Sequence, residues 1–319
     1  MHSIIDVANE TFPELITCRL SDIVDEELLW DQIKEWRNKN SPVLIESDDN
    51  PTHRTYITTI KQNYEKFAFT TPGKRNDERQ IPNVDCLTRF SCDPAQPCID
   101  HEQDKKYKFV FLVGKAQPHR LAMLTTLAER KLLDDMLISF RNKGKAYQHL
   151  FPEPLVLPDH YEWPEIINLG GYDSEMMSGS ALDQAWQKQF GKVHPLLYRD
   201  TAISLVSEGT IEPEINFISE KTWIPMVAEH LMVFQANTGH RQVLEELGFK
   251  TKFDIIPDYD ESDHEAIADV CSYLKTQSVR LLYEKTQAQR LHNRQLCLDE
   301  AHWKKYHFTQ LKNFNWHLL

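Results

Sequence analysis

The chain has 319 residues, a formal net charge of −12 at pH 7 and 41% hydrophobic residues. This length allows one large or two compact domains with sizeable cores. The acidic balance argues against a broadly basic nucleic-acid-binding surface, although a local basic cleft is compatible with it. No apolar run approaches the ~18–20 residues of a membrane span, and the N-terminus lacks a basic and apolar signal sequence.

Residues 1–104 are predicted to form a small α/β domain. Apolar residues at helical spacing predict a helix over residues 25–38. The other predicted elements are a strand at 43–45, a helix at 56–65, a strand at 67–70 and an irregular loop over 72–97.

Carboxylates cluster at the end of the strand at 43–45. Glu46, Asp48, Asp49 and His53 follow it closely. A strand end in an α/β domain faces a cleft, so this cluster is a candidate for a general base, with Asp48 as the first choice. A solvated turn with one Asp capping the next helix is the alternative interpretation.

Residues 105–277 are predicted to form a second α/β domain. Continuous β-forming residues predict a central parallel strand at 107–113, with Gly114 and Lys115 at its carboxyl end. Pro118 suits a helix start, and Arg120 in the first turn suits a bidentate grip on phosphate oxygens. A surface arginine paired with a carboxylate is the alternative for Arg120.

The next stretch contains a predicted strand at 137–140, a long loop at 142–179 that is a candidate lid or part of a binding site, and a short helix at 182–190. Residues 194–198 lead into the next predicted strand. Tyr198 is a candidate for stacking on a base or a sugar, while a half-buried aromatic is the alternative.

The segment 203–236 has the order strand, loop, helix, strand, which is typical of a parallel sheet. The strand at 203–206 leads to Glu208, and a glutamate at a strand end can hold ribose hydroxyls. Ser219 suits an N-cap, and Glu220 suits the first helical turn. Lys221 is disfavoured there by the helix dipole, so we expect it to bind an anion such as a diphosphate. Further elements are predicted at 230–234 (strand), 239–247 (helix), 253–256 (strand), 263–274 (helix) and 278 onwards (a basic amphipathic helix).

Two patterns suggest a metal. Cys86, Cys92 and Cys98 are evenly spaced, but zinc ligands normally come as C-x2–4-C pairs, so free thiols are the simpler account. The run 258–261 contains D-x-D, which helix capping and solvation also explain. We therefore predict no metal site.

The segment from Glu208 through Phe217-Ile218-Ser219-Glu220-Lys221-Thr222-Trp223 resembles the donor-site segment of GT-B glycosyltransferases, nearest to fucosyltransferase-like members and short phage- or bacterium-encoded relatives. The stretches 109–133 and 238–253 fit the same pattern. The resemblance covers roughly the second half of the chain.

The resemblance implies two Rossmann-like domains with a cleft between them and a C-terminal segment, 278–319, that crosses back to the first domain. Residues 105–277 would bind a nucleotide-sugar donor, which is a substrate, and no cofactor or divalent metal would be required. The donor-binding residues would be Gly114, Lys115, Arg120, Tyr198, Glu208, Ser219, Glu220 and Lys221.

The acceptor would be a hydroxyl of a glycan, of a lipid-linked saccharide or of hydroxymethylated pyrimidine in phage-type DNA. The absence of a membrane anchor in the sequence then implies the cytoplasm of a bacterium or of a phage-infected host. A metal-dependent GT-A-type transferase, in which D-x-D holds the cation, and a non-catalytic nucleotide-binding module are the alternatives.

Overall fold

The computed structural model describes residues 4–47, 51–72, 74–75, 79–83, 101, 105–113, 117–140, 195–209, 215–216 and 218–314. Within these ranges the protein is mixed α/β and contains two four-stranded parallel sheets. None of the helices in these ranges is both long and apolar enough to cross a membrane.

The first sheet, sheet 1, has the strand order β1-β2-β3-β5, which follows the chain. Its strands are β1 (Ile16–Arg19), β2 (Val43–Glu46), β3 (Phe67–Pro72) and β5 (Gln80–Asn83), and the helices around it are α1 (Ile4–Thr11), α2 (Glu26–Lys39) and α3 (Pro51–Asn63). Successive side chains along each strand point to opposite faces of the sheet. Val43 and Ile45 pack against α2 and α3, whereas Leu44 packs against α1.

The second sheet, sheet 2, has the order β10-β8-β6-β7, and all of its pairs are parallel. Its strands are β6 (Phe109–Val113), β7 (Met136–Phe140), β8 (Ile203–Ser207) and β10 (Leu231–Gln235), and the helices between and after them are α4 (Pro118–Glu129), α5 (Pro195–Asp200), α6 (Glu220–Val227), α7 (His240–Glu246) and α8 (His264–Thr276). One face packs against α4 and α8, and the other packs against α6 and α7. Short 3-10 turns lie at Leu20–Asp22 and Leu133–Asp135.

Among the described residues, a strand pair and the C-terminal helices join the two halves of the chain. Strand β4 (Lys74–Arg75) pairs in antiparallel fashion with β9 (Ile215–Asn216), which lies between β8 and α6. The chain ends in the long helix α9 (Val279–Leu298) and then α10 (Glu300–Asn313). Trp303 of α10 belongs to a core of sheet 2, whereas Leu311 belongs to the core between sheet 1 and α1.

Most predicted helices and strands of the described ranges are confirmed within a few residues. Local signals explain why: Asp25 caps α2 by accepting from the Leu28 amide at 2.8 Å, and Pro118 occupies the first turn of α4. Ser219 caps α6, as predicted, by accepting from the Lys221 amide at 3.2 Å. The predicted lid at 142–179 and helix at 182–190 lie outside the described residues.

Some predictions of elements were wrong or incomplete. The segment 253–256 is a turn, not a strand: the Ile256 amide donates to the Phe253 carbonyl oxygen at 2.8 Å, which closes the segment on itself. The Phe234 amide at the edge of β10 donates to the Tyr259 hydroxyl at 2.8 Å. The loop predicted over 72–97 contains β5, where Pro82 is tolerated because β5 lies at an edge of sheet 1. Helix α1 and strand β1 were not predicted.

Candidate functional site

The chain order places a switch point in sheet 2. From β6 the chain passes through α4 to β7 on one side, and it later returns to β8 on the other side of β6. Helices α4 and α6 therefore lie on opposite faces, and both begin at the carboxyl edge. In open α/β sheets a ligand crevice forms at this kind of position, so the first turns of α4 and α6 are the candidate site.

Glu208 follows β8 directly and is fully buried. One carboxylate oxygen accepts from the Ser219 amide at 3.1 Å and from the Thr222 hydroxyl at 2.5 Å. The other oxygen accepts from the Ser219 hydroxyl at 2.6 Å and from the Gly209 amide at 3.3 Å. A buried carboxylate needs such donors to offset its lost hydration. The carboxylate thus holds the first turn of α6, and both of its oxygens are engaged within the protein.

Arg120 lies in the first turn of α4 and is only 2% exposed. Its guanidinium donates to the carbonyl oxygens of Ser207 at 3.0 Å and of Glu208 at 2.9 Å. Burial lowers the pKa of Arg120, while the charges of Glu208 and Glu220 oppose this shift. The predicted phosphate-binding arginine therefore lies beneath the end of β8, where it supplies a buried positive charge.

His119, beside Arg120, was not among the predicted site residues. Its Nε2–H donates to the Glu208 carbonyl oxygen at 3.1 Å. Burial lowers the pKa of His119 to about 4, and the charge of Arg120 acts in the same direction. His119 is therefore neutral at physiological pH. The sequence feature that could have identified His119 is its position in the first turn of the helix that follows the predicted strand at 107–113.

The first turn of α6 presents the second cation of the site. Lys221 Nζ forms an ion pair with Glu220 Oε1 at 2.7 Å, and both side chains are about one-quarter exposed, 25% and 23%. Lys221 is thus far more accessible than Arg120. A partly exposed lysine beside backbone N–H groups at a helix start is suited to an anion.

The end of β10 adds residues that sequence reasoning missed. Gln235 crosses to α4, where its amide nitrogen donates to the His119 carbonyl oxygen at 2.7 Å. His240 at the start of α7 is fully buried, and neither of its ring nitrogens has a hydrogen-bond partner within the described ranges. Burial lowers the pKa of His240, and the Glu208 and Glu261 carboxylates act against that shift. Nothing in the local sequence distinguishes these residues from ordinary polar ones.

Tyr198 lies in α5 and is only 2% exposed. Its ring packs edge-on against His230 with the ring centroids 4.8 Å apart, and its carbonyl oxygen accepts from His230 Nε2 at 2.8 Å. Tyr198 therefore belongs to the core. The predicted site residues Gly114 and Lys115 lie outside the described residues.

The carboxyl edge of sheet 1 contains Glu46, the last residue of β2. Its carboxylate is only 7% exposed and accepts from Arg19 Nε at 2.7 Å. Arg19 is the residue that lies opposite Glu46 on β1. His53 in the first turn of α3 is also buried. Asp48 and Asp49 lie outside the described residues. The Glu46 carboxylate is therefore already engaged by Arg19, which leaves it less available to an acceptor hydroxyl.

The D-x-D run serves local structure. Asp258 pairs with Arg241 at 3.1 Å, and Asp260 accepts from the amide and the hydroxyl of Ser262 at 2.9 and 2.7 Å. Within the described ranges no group of three or more His, Cys, Asp or Glu residues is placed to hold a metal ion. The three evenly spaced cysteines, at 86, 92 and 98, lie outside these ranges.

Comparisons with protein families, with curated proteins and with solved structures return no match for this chain.

Proposed function

We propose that the protein is a glycosyltransferase that moves a sugar from a nucleotide-sugar donor to a hydroxyl acceptor. The observation that carries this proposal is the switch point between β6 and β8, where the first turns of α4 and α6 bring Arg120 and Lys221 to one edge of sheet 2. The resemblance of the Glu208–Trp223 segment to GT-B donor sites supports the same edge.

Departure of a nucleoside diphosphate builds negative charge on its oxygens, so catalysis needs fixed positive groups there. Lys221 at the start of α6 is the direct ligand in this proposal, and Arg120 adds a buried charge behind it. Glu220 lies beside Lys221 and is the carboxylate assigned to the ribose. Glu208 fixes the loop around the donor.

The acceptor hydroxyl needs a base on the side of the sugar opposite the diphosphate if transfer inverts. Two Rossmann-like domains meeting at a cleft would supply that base from sheet 1. Because Glu46 is paired with Arg19, we assign the base to Asp48.

A saccharide is the acceptor we favour over DNA. The basic residues of α9 were the feature that pointed to DNA, yet Arg290 is only 5% exposed and donates to the Glu229 and Tyr283 carbonyl oxygens. Arg294 is also directed inward, toward Glu229 at 3.6 Å. These two arginines hold α9 against the end of α6 and leave less positive charge for a phosphate backbone.

The test is a thermal-shift panel of UDP, GDP, CDP and their sugars, followed by measurement of nucleoside diphosphate release with saccharide acceptors. A ligand at a hundred times its Kd should stabilise the fold by ~2.7 kcal/mol. Failure of every nucleotide to shift the transition would overturn the proposal. Turnover that is abolished by EDTA would favour the metal-dependent GT-A alternative, and binding without turnover would favour a non-catalytic module.

A further inference from the structure

Glu208 joins three elements at the switch point through three different groups. Its carboxylate accepts four hydrogen bonds, of which three come from Ser219 and Thr222 at the start of α6. Its carbonyl oxygen accepts from Arg120 and His119 at the start of α4. Its amide donates to the Gln235 carbonyl oxygen of β10 at 3.0 Å.

These hydrogen bonds hold the first turn of α6 in one position relative to the first turn of α4. Oxygen–oxygen distances of 2.5 and 2.6 Å to the two hydroxyls are typical of short, charge-assisted hydrogen bonds. Because the residue is fully buried, water cannot replace a donor that moves away. A shift of the α6 first turn relative to α4 would therefore leave a buried carboxylate with fewer donors.

We propose that Glu208 is a positioning residue: it holds the α6 first turn, with Lys221, at a set distance from the α4 first turn, with Arg120, so that both cations act on one diphosphate. This inference rests on the proposed function. It differs from a direct contact with the ribose, because both carboxylate oxygens are already engaged by the protein.

Glu261 provides a matched control beside the end of β10, where its carbonyl oxygen accepts from the Ala236 amide at 2.8 Å. It is 5% exposed, and its carboxylate accepts from the Gly239 amide at 3.0 Å and from Arg241 Nε at 3.2 Å. Like Glu208, it is a buried carboxylate that holds the start of a helix, α7. That helix carries no residue assigned to the donor, so Glu261→Gln reports the general effect of weakening such an anchor.

The variants are Glu208→Gln, Glu261→Gln and the pair Thr222→Val and Thr222→Ser. Gln keeps the size of Glu208 but replaces one oxygen by NH₂, which cannot accept from the Ser219 or Gly209 amide it faces. We expect Glu208→Gln to raise the Kd of the bound nucleoside diphosphate about tenfold or more. Thr222→Val should also weaken binding, and Thr222→Ser, which keeps the hydroxyl, should restore it.

Hydrogen–deuterium exchange of residues 218–224 is measured alongside, without ligand. Glu208→Gln should speed exchange there, whereas Glu261→Gln should speed it only at the start of α7. Equal loss of binding in both Gln variants, at equal folded fraction, would overturn the proposal, as would unchanged exchange at 218–224 in Glu208→Gln. If the parent protein binds none of the nucleotides but exchange responds as expected, the proposed function fails while the anchoring of α6 by Glu208 stands.

Discussion

At the scale of single residues, burial separates the two cations of the candidate site. Arg120 is 2% exposed and bonded to strand-end carbonyl oxygens, whereas the Lys221 side chain is 25% exposed and paired with its neighbour Glu220. Replacing Arg120 would remove a structural link together with a charge. Lys221 is therefore the residue whose replacement tests diphosphate binding most directly.

We expect Lys221→Ala to weaken binding of the nucleoside diphosphate by roughly 1.5–3 kcal/mol, the range for hydrogen bonds to charged groups. Titration calorimetry measures this affinity, with the nucleotide that gives a thermal shift with the parent protein. Lys285→Ala, at an exposed position of α9, is the control and should bind like the parent. Parent-like affinity in Lys221→Ala would remove Lys221 from the donor site.

A second residue-scale prediction concerns the acceptor base. Asp48→Asn keeps the shape of the side chain but removes its basicity, so turnover should fall ~100-fold or more while the Kd for the donor is unchanged. Steady-state kinetics and calorimetry measure the two quantities. Retained turnover would exclude Asp48, and a retaining mechanism would remove the need for a base on that side.

At the scale of elements, α7 illustrates how a distant residue replaces a local cap. Gly239, its N-cap residue, has φ of +86° and no side chain to accept from the first turn. Glu261, 22 positions beyond Gly239, supplies that acceptor to the Gly239 and Arg241 amides. Glycine is favoured there because an L side chain rarely adopts this backbone conformation.

Gly239→Ala should lower the free energy of unfolding by about 1–2 kcal/mol, the cost of a left-handed conformation for alanine. An added Cβ would meet no atom within 4 Å, so steric overlap contributes nothing. Gly248→Ala is a useful comparison: φ is +97° and the Cβ would lie 3.3 Å from Leu296 Cδ2, so a larger loss is expected. Urea unfolding measures both, and a Gly239→Ala variant as stable as the parent would contradict the assigned strain.

At the scale of the whole molecule, α10 joins the cores of the two sheets. Besides Trp303 and Leu311, it is linked to α1 by the ion pair of Lys304 with Glu10 at 2.7 Å and by stacking of Phe308 on Phe12. The ion pair is exposed and contributes at most about 1 kcal/mol. Apolar packing is therefore the main link between the end of the chain and sheet 1.

Leu311→Ala should lower the free energy of unfolding by about 2–5 kcal/mol, because it leaves a cavity where the leucine is fully buried. Lys312→Ala, exposed on the same helix, should change it by less than about 0.5 kcal/mol. Chemical denaturation gives both values. A loss for Leu311→Ala as small as that for the control would mean that α10 does not pack on sheet 1.

Buried histidines predict the pH dependence of stability. Burial lowers the pKa of His119 and of His307 to about 4, from an ordinary value of 6.5. Between these pH values the unfolded chain binds protons that the folded protein does not, so stability falls as the pH drops from 6.5 to 4.

Each such histidine should contribute up to about 1.4 kcal/mol per pH unit in this window. As the pH is lowered through this window, the denaturation midpoint of the parent should fall steadily, and that of His307→Phe should fall less steeply. Thr309→Ala, a non-titrating change on the same helix, should leave the slope as in the parent. An unchanged slope in His307→Phe would show that His307 does not stay neutral in the folded protein.

Sequence alone determined the parallel α/β character of both halves, because apolar periodicity and end-capping residues act over a few neighbours. It identified Ser219 as a helix cap and Pro118 as a helix start for that reason. The tertiary structure decided where polar side chains point. Glu208 faces Ser219 rather than outward, and Arg120 lies beneath a carbonyl 88 positions away along the chain. Such partners are brought together by the order of strands in the sheet, which local patterns do not encode. Burial then favours conformations in which polar groups such as the Glu208 carboxylate are hydrogen-bonded.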